Sequence, residues 1–257
     1  MADQKNIFTD AADYDRSMGR MSRIAGEKFL DWLSMPEGLR WLDIGCGTGS
    51  FTELVFDRLS PASIAAIDPS EHQIAFARTK PVADRIGFRQ GDAMSLEFDD
   101  NEFDVAVMAL VIQYIPDPEK AMGEIVRVVR PGGTVAAYVW PAHGNGHPSE
   151  YLRSAVRSVG PSETNRPGAG MRTTEAMKAL FAASGITEIE TRSLEIPFRF
   201  ENFEKYWAGQ HLDQYRHLGA SEIAQMQEYL STHLPRDAEG RISYTARANA
   251  IRGRVAD

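Results

Sequence analysis

Between Arg40 and Trp140 short apolar runs alternate with amphipathic stretches, and that rhythm restricts the fold more than any other property of the chain. RWLDI (40–44), SIAAI (63–67), IGFRQ (86–90), FDVAVMA (103–109) and TVAAYVW (134–140) read as strands buried on both faces, the pattern of a parallel sheet. Helical patterns lie between them. Phe51, Leu54, Val55 and Leu59 share a face after the first run, Ile74 and Ala77 after the second, and Met122, Ile125, Val126 and Val129 before the fifth. Strand, helix and strand in this order imply parallel pairing with right-handed crossovers.

The flanks carry further elements. Residues 21–33 read as a helix with Ile24, Phe29 and Trp32 facing the core. After the Pro/Gly-rich PAHGNGHPSE loop, helices are expected near 151–159 and from a Thr173 or Thr174 cap to Ala183, where Gly185 stops the second. ITEIETRSLEI (186–196) and RISYTARANAIRG (241–253) alternate as strands, the latter with Ile242, Tyr244, Ala246, Ala248 and Ala250 on one face. Amphipathic stretches at 203–216 and 221–233 fill the interval between them.

Chemistry concentrates where strands end. LDIGCGTGS (42–50) closes the first strand and opens a helix; Gly45, Gly47 and Gly49 allow a sharp turn and close approach of a ligand. Nicotinamide and flavin proteins use a similar loop, but their fingerprint wants glycine where this chain has Ser50. Asp43 puts a carboxylate at the strand end, suited to an ammonium group and ill suited to a pyrophosphate. Asp68, before Pro69, stands where it can accept from a ribose diol. In GDAMSL (91–96), Asp92 can accept from an adenine amino group and Met94 can pack on the ring. ALVIQYIPDP (109–118) crosses the switch point of the sheet, and RVVRPGG (127–133) turns from a helix into the fifth strand.

Bulk properties exclude some classes. A net charge of −8 argues against a general nucleic-acid binder, which needs a basic face. Cys46, the single cysteine, leaves no intramolecular disulfide and no multi-thiolate metal site, and it fits a reducing compartment. The polar N-terminus lacks the features of a signal peptide and no window is apolar enough for a transmembrane helix, so a cytoplasmic protein without membrane insertion is expected. The histidine spacings do not resemble a zinc site, and no metal is expected.

Together these features resemble the class I S-adenosylmethionine-dependent methyltransferases, nearer the ubiquinone/menaquinone-biosynthesis and small-molecule branch than the nucleic-acid enzymes. The resemblance covers residues 40–140 well and the flanks loosely. It implies an α/β, Rossmann-like three-layer sandwich with a seven-stranded, mostly parallel sheet, an antiparallel last strand and a helical insertion before it. It implies one domain over residues 1–257, with a cofactor-binding core at 36–140 and an inserted helical lid at about 197–240. It also implies S-adenosyl-L-methionine as cofactor and in-line methyl transfer to a small-molecule acceptor. Asp43, Gly45 and Gly47 would surround the methionyl part, Asp68 would hold the ribose, Asp92 and Ala93 would meet the adenine with Met94 packing on its ring, and Ala109 would lie near the sulfonium; Cys46 and Pro69 are also expected among the cofactor-binding residues. Tyr14 and Arg20, in YDRSMGR (14–20), resemble residues that fold over the methionyl carboxylate.

The chain departs from that branch after the fourth strand, where LVIQY replaces a histidine-rich turn. His143 and His147, on the loop leaving the fifth strand, are the candidate general bases, needed only for a weakly acidic acceptor. Cys46 reads as a small loop residue and not a nucleophile. Alternatives are a cofactor-binding relative with another reaction or a regulatory role, a protein-interaction module on the same fold, and a nicotinamide oxidoreductase.

Overall fold

Residues 19–141, 146–160, 169–210, 215 and 217–257 are described by the computed structural model. Seven strands form one sheet: β1 (Arg40–Ile44), β2 (Ser63–Asp68), β3 (Gly87–Gln90), β4 (Phe103–Ala109), β5 (Val129–Val139), β6 (Ile186–Phe200) and β7 (Ile242–Val255). Their order is β3-β2-β1-β4-β5-β7-β6. The first five pair in parallel, whereas β7 runs antiparallel to both β5 and β6. The expected antiparallel last strand is thus present and lies beside the predicted 186–196 strand.

Helices α1 (Arg20–Leu33), α2 (Ser50–Leu59), α3 (Glu71–Ala77), α4 (Pro118–Val128), α5 (Glu150–Val159), α6 (Thr174–Ala183), α7 (Phe203–Ala208) and α8 (Ala220–His233), with short 3₁₀ turns at Ala83–Arg85, Ile112–Tyr114 and Ala169–Arg172, complete the described elements. Local chemistry places their ends. Asp117 accepts from the Lys120 N–H with Pro118 in the first turn, Ser70 from Gln73 N–H, and Thr173 from Ala176 N–H. Gly185, at φ +77°, ends α6 as its sequence position suggests.

Two apolar layers sandwich the sheet. On one side Phe29, Phe51 and Tyr138 pack together, with the Phe29 and Tyr138 rings 4.7 Å apart, and this core continues beneath α5 and α8. On the other, Leu42, Ile44, Met108 and Val135 meet Met122 and Ile125 of α4 and Phe181 of α6. Phe29 is wholly buried as expected, but Ile24 and Trp32 are only partly buried; Met21, Ala25, Leu30 and Leu33 make up the rest of the inward face of α1.

Three boundaries differ from the sequence reading. β5 begins directly at the end of α4, and its register jumps from Phe103↔Val129 to Val105↔Thr134. The Pro131–Gly133 turn is therefore a bulge within the strand, with Gly132 at φ +68°. The helix expected over 203–216 ends at Ala208, where Gly209 caps it. β6 continues past Ile196 to Phe200.

That last extension shapes the molecule. β5 ends against β7 at Val139↔Asn249, so within the sheet the segment of β7 from Ile242 to Ala248 pairs with the Leu194–Phe200 end of β6, and Ile242 also bridges Arg236. At strand rise, the hairpin stands about 20 Å beyond the carboxyl edge of the sheet. Its inner residues, including Ile196, Phe198, Phe200, Ile242 and Ala246, are buried with Leu152 and Ala155 of α5 and Met226 and Leu230 of α8.

Candidate functional site

The carboxyl ends of β1, β2, β3 and β4 bring most of the predicted cofactor residues to one edge. β1 delivers Asp43, and the chain then turns through three left-handed glycines, Gly45 (φ +71°), Gly47 (+54°) and Gly49 (+79°), before α2 starts. The Gly45 and Cys46 N–H groups both donate to the Ile67 carbonyl, at 2.8 and 2.9 Å, which fixes the loop to the end of β2. A Cβ at Gly45 would lie 2.2 Å from Cγ2 of Val111, so the residue must be glycine for space as well as conformation. The positive end of α2 faces this loop and favours negative charge there.

Asp43 is buried. The Thr52 hydroxyl donates to its Oδ2 at 2.6 Å, while Oδ1 has no hydrogen-bond partner among the described residues. Burial pushes its carboxyl up to about 7; the Thr52 bond opposes this and the nearby Asp68 charge adds to it. Asp68 accepts at Oδ2 from Gly47 N–H and at Oδ1 from Ser70 N–H, both at 2.9 Å. Burial raises it too, against the pull of those two amides. Each of its oxygens keeps a lone pair for a hydroxyl donor. Burial, then Asp43 and Asp68, push the Cys46 thiol well up, so it stays protonated and unsuited to nucleophilic attack.

Asp92 is exposed and closes a turn, its Oδ1 accepting from Met94 N–H at 2.8 Å; Ala93 and Met94 are partly buried beside it. Pro69 is exposed, and its carbonyl accepts from the Gln90 amide. Ala109 ends β4 half-buried, next to Leu110 at φ +62°. That left-handed conformation is held by Leu110 N–H to the Tyr138 carbonyl, 2.9 Å, and by Gln113 Nε2 to the Leu110 carbonyl, 2.6 Å. It carries the chain back over the glycine loop, so that Val111 packs on Gly45. Nothing in the sequence announces Leu110, where a turn would ordinarily ask for glycine or asparagine, nor the Thr52 bond to a residue nine positions earlier.

Three candidates are not placed: Tyr14, His143 and the side chain of Arg20 lie outside the described residues. His147 is described, and its Nδ1 accepts from Ser149 N–H at 3.0 Å ahead of α5. A neutral ring so bonded carries its proton on Nε2. Among the described residues no group of three His, Cys, Asp or Glu side chains is placed to hold a metal ion. No described helix is long and apolar enough to cross a membrane.

Residues 42–137 match the methyltransferase domain family. The chain is 33% identical over 156 residues to a malonyl-[acyl-carrier protein] O-methyltransferase of Pectobacterium atrosepticum, covering 61% of this chain and 58% of that protein. It is 33% identical over 138 residues to a ubiquinone/menaquinone biosynthesis C-methyltransferase of Roseobacter denitrificans, covering 50% and 55%. It thus spans little more than half the length of these relatives. In fold it is similar to Haemonchus contortus phosphoethanolamine N-methyltransferase 2, solved with phosphomonomethylethanolamine and S-adenosylhomocysteine. That match has a TM-score of 0.60 at 19% identity, over 99% of this chain and 58% of the other. The domain match spans β1 to β5, and over that stretch the chain is similar to methyltransferases, within a seven-stranded sheet whose β7 is antiparallel.

Proposed function

We propose that the protein transfers a methyl group from S-adenosylmethionine to a small-molecule acceptor, acting in the cytoplasm and without a metal. The observation that carries this reading is the pair of carboxylates, Asp43 and Asp68, on either side of a left-handed glycine loop at the carboxyl edge of a parallel sheet. The buried, unpartnered Oδ1 of Asp43 is an acceptor waiting for a donor, and a cationic one would also relieve the cost of ionising it. The site therefore fits an amino-acid ammonium beside Asp43 and a diol at Asp68, with Asp92, Ala93 and Met94 on the adenine side. Names of the relatives support the activity, since all those given above are methyltransferases.

S-adenosylmethionine, when bound, supplies a methyl group already activated by its sulfonium. The residues of this chain then have to hold the acceptor in line with it and exclude water, which is catalysis by proximity. The β6–β7 hairpin, standing above the sheet edge with α5 and α8 behind it, supports a wall or lid over residues 197–240 on the acceptor side. A base is required only for a weakly acidic acceptor; His143 and His147 are the candidates, and His147 would first have to release the Ser149 amide.

Incubating the purified protein with methyl-labelled S-adenosylmethionine and a metabolite extract, with and without a chelator, tests the reading. Label is expected in a small molecule, unaffected by the chelator. Tight binding of the cofactor without any labelled product would favour a non-methyltransfer role.

A further inference from the structure

Among the described residues no carboxylate pairs with the buried cation Arg172, and we propose that it binds a carboxylate on the acceptor. The inference deepens the proposed function and rests on it only for the identity of the reaction; the anion site itself stands on the geometry of Arg172.

The side chain closes a 3₁₀ turn (Ala169–Arg172) and is 5% exposed. Among the described residues its Nε has no hydrogen-bond partner, and the one hydrogen bond of its side chain is a long one, from Nη2 to the Tyr114 hydroxyl at 3.3 Å. The guanidinium lies 5.6 Å from the centre of the Tyr114 ring, and it forms no ion pair with any described residue. Arginine is seldom buried so deeply unless paired, because desolvating the charge without compensation costs several kcal/mol. Tyrosine offers a neutral oxygen and a ring face, which compensate in part.

The place is the right one for an acceptor. Asn249 Nδ2 donates to the Arg172 carbonyl at 2.9 Å, and Asn249 pairs with Val139 at the very end of β5. Tyr114 ends the 3₁₀ turn (Ile112–Tyr114) that follows β4, its N–H donating to the Val111 carbonyl at 2.7 Å. Val111 in turn packs on Gly45. Two residues, Tyr114 and Val111, therefore link Arg172 to the glycine loop, at the carboxyl ends of β4 and β5. Tyr114, near whose ring the guanidinium lies, is 44% exposed and is the one large hydrophobic side chain exposed among the described residues. On the same turn Gln113 is buried with Oε1 unpartnered, an acceptor for a hydroxyl or amide N–H on the same ligand. One planar guanidinium matches one negative charge and presents a fork to two carboxylate oxygens. Tyr114 would act as the movable cover.

The test is direct binding to the full chain, by calorimetry, of benzoate, phenylacetate and malonate, with benzamide as the uncharged control and inorganic phosphate as the other anion. Titrations are run with and without S-adenosylhomocysteine. At least one carboxylate is expected to bind saturably and benzamide not to bind. Arg172→Gln should weaken the carboxylate roughly tenfold or more, with Arg172→Lys intermediate. S-adenosylhomocysteine affinity should stay within about twofold of wild type in both variants, since neither touches its loop. A structural role for Arg172 would instead lower the melting temperature of Arg172→Met, which is expected unchanged or raised because an uncompensated buried charge is removed. Failure of every carboxylate to bind wild type, preference for phosphate, or equal binding to Arg172→Gln overturns the proposal. Arg172-dependent carboxylate binding in a protein that ignores S-adenosylhomocysteine would sink the cofactor reading and leave this one standing.

Discussion

Replacing Asp43 with asparagine separates what the carboxylate does for binding from what its burial does to the fold. In the free protein this group holds a proton up to about pH 7. If the ligand ammonium needs the ionised form, the dissociation constant of S-adenosylhomocysteine should fall about tenfold per pH unit as pH rises toward 7, then level off; between pH 5.5 and 7.5 that is roughly thirtyfold. Asp43→Asn cannot ionise, so its affinity should be nearly flat across the window, any residual slope belonging to Asp68, whose pKa is also raised. At pH 7.5 the lost charge-assisted bond is worth roughly 1.5–3 kcal/mol, a tenfold to hundredfold loss. Stability runs the opposite way. The folded carboxyl titrates above its unfolded value of 3.8, so the native state binds more protons between about pH 4 and 7 and loses stability as pH rises through that range. The loss is at most roughly 4 kcal/mol, at 1.36 kcal/mol per pH unit. Asparagine removes that dependence but buries an amide N–H without an acceptor, at about 1–3 kcal/mol. Calorimetric titration and urea denaturation at several pH values read both effects. A wild-type dissociation constant independent of pH from 5.5 to 7.5, or wild-type affinity in Asp43→Asn at pH 7.5, would refute the ammonium assignment.

Asp68→Ala should weaken S-adenosylhomocysteine by roughly 1.5–3 kcal/mol, about tenfold or more; unchanged affinity in the folded variant removes Asp68 from the ribose site. Gly45→Ala forces a methyl group to within 2.2 Å of Val111 at φ +71°, with a combined strain of roughly 2–5 kcal/mol. A melting temperature lower by on the order of 10 °C follows, and Gly45→Ala with Val111→Ala should recover part of it. Trp207, which stacks on Phe203 at 6.2 Å, tests the lid: Trp207→Ala should raise the acceptor KM or lower kcat while cofactor affinity holds. Normal acceptor kinetics there and in Tyr206→Ala would make the segment scaffold.

Much of this protein is written in local patterns. The strands from Arg40 to Ala109 and the caps at Thr173 and Gly185 could be placed from the sequence because apolar periodicity and capping chemistry act over a few residues. The glycine loop and the strand-end carboxylates of Asp43 and Asp68 were legible for the same reason, since each sits in a short motif whose geometry its own residue types require. Tertiary structure decided the rest, where the deciding partner is distant in sequence. The long β6–β7 pairing is set across the chain, so β6 runs on to Phe200, past the end of β5. Leu110 is left-handed because Tyr138 and Gln113 hold it there, against its own preference. The acidity of Asp43 depends on burial and on Asp68, which no spacing reveals. Arg172 looks in sequence like any surface arginine; it becomes a candidate acceptor-binding residue only because the fold buries it beside Tyr114 and Asn249 with no ion pair among the described residues.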